Sequence, residues 1–120
     1  MYKAKLPLPA GCVPLVLGQV LTGMQPADGP LPGGKNDPMM PVAWVREPRE
    51  THGRVFTTTM GSSQDLLDKG FRRMVVNACY WAMGLEKKIK AGGRIDIVGE
   101  YRPSPFKFNG FIPGMKPPKP

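Results

Sequence analysis

The sequence predicts an α/β fold of a few strands and one main helix, and three observations carry that expectation. Between Pro41 and Gly84 the apolar residues first alternate with period two and then switch to helical spacing. The switch falls at a turn, Gly61-Ser62-Ser63. Hydrophobic residues make up 41% of the 120 residues, enough for a core, whereas fifteen glycines and fifteen prolines concentrate outside this run. The expected organisation is therefore an ordered centre, residues 41–90, between a Pro/Gly-rich segment, 1–40, and a Pro-rich basic tail, 91–120.

In the first segment Pro7, Pro9, Gly11 and Pro14 make the chain extended or turning. The credible strand there is Leu15 to Leu21. Residues 23–41 then form a long loop rich in turn dipeptides. In the centre, Val42 and Trp44 share one strand face and Ala43 and Val45 the other; a second strand runs from Val55 into the threonines 57–59. The helix is expected at about 68–84. Its apolar residues Phe71, Met74, Val75, Ala78, Trp81, Ala82 and Leu85 fall on one face, and Gly84 supplies the stop. Cys79 lies near that stripe and is expected to be a buried free thiol, and Cys12 to sit in a Pro-rich loop. Beyond the helix, Arg94 to Tyr101 alternates as a short edge strand. Six prolines from Pro103 onward exclude regular ladders, leaving Phe106, Phe108 and Phe111 to pack the tail on the domain.

Several separated motifs in this centre occur in a familiar order: Asp37-Pro38, Pro41-Val42-Ala43-Trp44, Gly53-Arg54-Val55-Phe56-Thr57-Thr58, Met60-Gly61, Phe71-Arg72-Arg73, and Asn77-Ala78 to Trp81-Ala82-Met83-Gly84. Together they resemble the C-terminal half of ThuA-like (trehalose-utilisation) domains, relatives of the class I glutamine amidotransferases. The resemblance covers about half the chain. It implies part of a flavodoxin-like sandwich, a link to carbohydrate metabolism and a sugar-like small-molecule ligand. A doubly wound sheet needs several βα units, and one helix of convincing length is present, so the expectation is a truncated or C-terminal portion, inactive alone. Its partner would then be the missing N-terminal half or a second copy.

The candidate ligand residues gather at two places. One is the turn after the second strand, with Thr59, Gly61, Ser62 and Ser63. ThuA-like domains commonly carry Gly-His where this chain has Gly61-Ser62, so a hydroxyl replaces an imidazole and any acid, base or metal role of that histidine falls into doubt. Ser62 or Ser63 is also expected to cap the following helical segment, a role compatible with ligand contact. The other place is Asn36-Asp37, which first suggests a turn launching the strand at Pro41, and offers hydrogen bonds to sugar hydroxyls if its loop arches over the same sheet edge. Gly33-Gly34-Lys35 lacks the spacing of a phosphate loop.

No catalytic residue is assigned, and neither a metal nor a cofactor is indicated. A glutamine-hydrolysing site needs a cysteine on a sharp strand-to-helix turn with a histidine in reach, and neither Cys12 nor Cys79 qualifies. His52, the sole histidine, falls in the connection between two strands, next to Glu50, which with Glu47 suggests a solvated turn rather than a carboxylate pair. The net charge of +8 raises nucleic-acid binding, yet from Glu86 onward eight Lys and Arg face three Asp and Glu without a recognition motif, so that class is disfavoured. No apolar run approaches a membrane span and no signal peptide is evident, which leaves localisation open. Beside the ThuA-like reading stands that of a non-catalytic interaction module.

Overall fold

The computed structural model describes residues 4–47 and 53–116. Three strands, β1 (Cys12–Gly18), β2 (Met40–Arg46) and β3 (Val55–Thr58), precede one helix, α1 (Lys69–Ala82). Short 3-10 turns occupy Gly34–Asn36, Ser63–Leu67 and Glu86–Lys88. The strands form one antiparallel sheet in the order β1-β2-β3, and α1 lies against β3. The architecture is thus α/β, one small sheet and one main helix.

β2 is central because its alternation carries small and branched apolar residues on both faces. Val42 is 2% and Ala43 0% exposed, and they form the buried core together with Pro41. β3 pairs along it from Ala43 with Thr58 to Arg46 with Val55. The segment joining β2 to β3, with Glu50 and His52, lies outside the described residues.

β1 departs from the expected Leu15 to Leu21. It begins at Cys12, so Cys12 is a half-buried strand residue rather than part of a loop, and it ends at Gly18. Pro14 is tolerated because β1 is an edge strand and its register shifts between Pro14 and Val16, so the missing N–H interrupts no second ladder. Past Gly18 a side chain replaces the neighbouring strand. Asn36 Oδ1 accepts from the Val20 amide at 2.7 Å, and Asn36 Nδ2 donates to the Val20 and Leu31 carbonyls at 3.0 and 3.1 Å. The long loop is closed beneath this clamp by a Leu21–Pro30 bridge and by Asp28, whose carboxylate accepts from the Gln25 amide at 2.8 Å.

The helix matches its expected span closely. Asp68 Oδ1 accepts from the Phe71 amide at 2.7 Å as N-cap, and Gly84 takes φ +72°, the left-handed conformation that ends helices. The stripe residues Phe71, Met74, Val75, Ala78 and Trp81 are half-buried only. Cys79 is exposed, contrary to expectation. At 100° per residue it sits about 100° around the helix from the centre of the apolar stripe.

The expected edge strand from Arg94 to Tyr101 does not form. Two arginines of α1 hold this chain by other bonds: Arg72 Nε donates to Ile95 O at 2.9 Å, a carbonyl a ladder would need, and Arg73 Nη1 to Gly93 O, just before the segment, at 3.2 Å. Nor do the tail phenylalanines bury themselves. Phe106 and Phe108 meet edge to face with centroids 5.0 Å apart, yet Phe106, Phe108 and Phe111 are all largely exposed. Hydrogen bonds anchor the tail instead, from Tyr101 Oη to Ser63 O at 2.7 Å and from Ser63 Oγ to Ser104 O at 2.8 Å.

The result is an open molecule. Its radius of gyration is 17.3 Å, against about 14 Å for a compact domain of this length. It exposes 10113 Å², where about 6,400 Å² is usual for a compact monomer of this size. Among the described residues no helix is long and apolar enough to cross a membrane.

Candidate functional site

The chain leaves β3 through a threonine-built corner. Thr58 Oγ1 donates to Val42 O at 3.0 Å and accepts from the Met60 amide at 3.1 Å, while the Thr59 amide donates to the same Val42 carbonyl at 3.0 Å. Two bonds from consecutive residues to one carbonyl turn the backbone off the sheet. Gly61 then takes φ +131°, open to glycine and strained for any L side chain.

Asp65 fixes the next turn. Its Oδ2 accepts from the Gly61 and Ser62 amides at 2.8 and 2.9 Å, and these bonds, Gly61's foremost, hold its carboxyl below the usual aspartate range against partial burial. The reach back from Asp65 to Ser62 is a capping box, so Ser62 does take part in a cap. What it caps is the short 3-10 turn; the helix proper is capped by Asp68.

Between this corner and the start of α1 lies an open cavity of about 970 Å³. Thr59, Gly61 and Ser62 form one wall, Asp65 and Asp68 the rim, and Phe71 and Phe106 the apolar surface. Asp68 spends Oδ1 on the Phe71 amide and keeps Oδ2 without a hydrogen-bond partner among the described residues, whereas Asp65 accepts from the Gly61 and Ser62 amides and from the Ser62 side chain. Thr59 Oγ1 is shielded from solvent and likewise unpartnered, an arrangement that costs about 1–3 kcal/mol. Carboxylate acceptors, hydroxyls and flat apolar rings in one concavity are the groups that recognise a polyol, whose hydroxyls donate and whose C–H faces stack.

Of the six residues singled out in the sequence, the structure brings Thr59, Gly61 and Ser62 together in this cavity. Ser63 is next to it, but its hydroxyl holds the tail at Ser104. Asn36 and Asp37 do not arch over the same edge. Asp37 lines a separate cavity of about 680 Å³ with Lys35, Leu6 and Met40, and Asn36 is committed to clamping Val20 and Leu31. Sequence reasoning undervalued Asp65 and Asp68, although Asp65 stands three residues after Ser62, the capping-box spacing. Nothing in the sequence pointed Phe106 at the cavity.

Arg54 was also passed over. Its guanidinium donates to Glu47 at 2.9 Å, to the Trp81 carbonyl at 2.7 Å and through two nitrogens to Glu86 at 2.9 and 3.1 Å, and it stacks 5.3 Å from the Trp81 ring centroid. Glu86 and then Glu47 raise its pKa further, and Arg54 in turn holds the Glu86 carboxyl below its ordinary range. This network ties the end of α1 to the start of β3, at the opposite ends of these elements from the cavity. Glu47 is accordingly an ion-pair partner.

Among the described residues no group of His, Cys, Asp and Glu is arranged to hold a metal ion. Neither cysteine lines the cavity. No protein-family profile, curated protein or solved structure matches this chain.

Proposed function

We propose that this chain is a portion of a ThuA-like domain that binds a sugar-like polyol at the Thr59–Ser62 corner and catalyses no reaction alone. The observation that carries the reading is the cavity itself, where Gly61 of the resembling motif, with Thr59 and Ser62 beside it, meets two carboxylates and two phenylalanines. The flavodoxin-like assignment belongs to the same proposal: the sheet described is narrow and its outer strand β1 leaves Val13, Leu15 and Leu17 about half exposed, as a sheet awaiting more layers would.

Titration of the isotopically labelled chain with trehalose and with glucose tests the binding. Saturable amide shifts at Thr59–Asp68, weakened about tenfold or more by Phe106→Ala, are the expected result; Phe106 is 78% exposed, so its replacement removes little buried surface. Shifts absent there, or centred on Lys35 and Asp37, sink the reading. The second reading, a docking module, is favoured by the same exposed face of β1, and a partner that covers Val13, Leu15 and Leu17 without altering the Thr59 corner would select it.

A further inference from the structure

A second concavity, remote from the corner, carries a different chemistry. It encloses about 180 Å³ between one face of α1 and the chain that follows the helix, and four of its lining residues, Arg73, Lys88, Lys90 and Arg94, are cations. No acidic residue lines it; Asn77 and Tyr80 add neutral polar groups. Arg73, Asn77 and Tyr80 stand at helical spacing on α1, so their placement is rigid.

The opposing wall is held in place as well. The 3-10 turn Glu86–Lys88 is closed by Lys88 N to Leu85 O at 2.8 Å, the next turn by Gly93 N to Lys90 O at 2.9 Å, and Arg73 reaches across to Gly93 O at 3.2 Å. Asp96 pairs with one of the lining cations, Arg94. It stands 3.8 Å from Arg94 with both side chains largely solvent-exposed, a pairing worth little. Lys88 and Lys90 have no acidic partner among the described residues. An ordinary solvated basic face is convex and alternates its charges; here cations from three backbone segments converge on a hollow, where their mutual repulsion is relieved by an anion.

We propose that this hollow is a binding site for a phosphate monoester dianion. Its volume is below the roughly 300–1,000 Å³ of sites that engulf a whole organic ligand, and suits one tetrahedral oxyanion with bound water. Arg73 presents planar N–H donors beside the ammonium groups of Lys88 and Lys90, a combination matched to phosphate oxygens. The site is independent of the polyol cavity.

The test is titration of the labelled full chain with inorganic phosphate at low ionic strength. The expected outcome is saturable shifts confined to Arg73–Tyr80 and Lys88–Ile95, with the double variant Lys88→Gln, Lys90→Gln weakening binding about tenfold and Lys35→Gln leaving it unchanged. Both lysine side chains are exposed and make no fold contact that the substitutions would remove. Shifts scattered over Lys5, Lys35, Lys107 and Lys116, or a double variant that binds like the parent, overturn the proposal. Glycerol phosphate and vesicles of phosphatidylcholine with phosphatidic acid separate a free ester from a lipid headgroup: either, if lost in the double variant, supports the site and names the source. Retention of a single-stranded oligonucleotide that outcompetes phosphate and survives the double substitution counts against it.

Discussion

Thr59 and Asn36 show how differently two polar residues of one candidate set are used. Asn36 makes three hydrogen bonds to the backbone of Val20 and Leu31, so its amide has little left for a ligand. Asn36→Ala should lower stability by about 1–3 kcal/mol, measured by chemical denaturation, and leave polyol affinity unchanged. Thr59 lines the cavity, but its Oγ1 is shielded from solvent and has no partner among the described residues. Thr59→Val removes an unsatisfied hydroxyl at nearly constant shape, so stability should rise by about 1 kcal/mol, measured by chemical denaturation. The Arg54–Glu86 pair makes a pH-dependent statement. Glu86 titrates below its ordinary range in the folded chain because Arg54 favours its anion. Its contribution is therefore complete above the ordinary glutamate range and is lost as pH falls through the depressed folded value. Glu86→Gln should lower the melting temperature at neutral pH and converge with the parent in acid.

At the level of elements, α1 was legible in the sequence because its signals are local: seven apolar residues on one face, Asp68 before the first turn and Gly84 after the last. Asp68→Ala deletes the cap on Phe71 and should cost about 1 kcal/mol, visible as lost helical ellipticity and fraying at Lys69–Phe71. Strands β2 and β3 were equally clear from alternation. The elements misjudged are those whose fate depends on a neighbour. β1 starts three residues early because pairing with β2 continues past Pro14 at a free edge, and stops at Gly18 because Asn36, eighteen residues on, takes the backbone beyond it. Arg94–Tyr101 alternates like a strand and forms none; Arg72 claims its Ile95 carbonyl, and Arg73 the Gly93 carbonyl just before it. The candidate site divides in the same way: the Gly61 turn and its capping spacing are sequence-local, while the placement of Phe106 depends on hydrogen bonds between Ser63 and a tail forty residues later.

For the whole molecule, the deciding quantity is the balance between buried and exposed apolar surface. Val42 and Ala43 are buried, whereas Val13, Leu15 and Leu17 on β1 remain about half exposed and no residue of α1 is fully covered. A chain that buries so little gains less than its full hydrophobic stabilisation against the ordering of its backbone, and its unfolding should be weakly cooperative. A compact domain of 120 residues unfolds with an enthalpy of about 80 kcal/mol. Calorimetry of the isolated chain should give a van't Hoff enthalpy well under that figure and a broad transition, together with binding of a hydrophobic dye. Substituting Val13, Leu15 and Leu17 by Thr, which keeps β propensity, should abolish dye binding and any concentration-dependent sedimentation while moving the transition little, because those side chains are not covered in the isolated chain. A sharp transition near the compact-domain enthalpy, with no dye bound, would mean that the sheet needs no further layer, and the reading of this chain as part of a larger ThuA-like sandwich would fall.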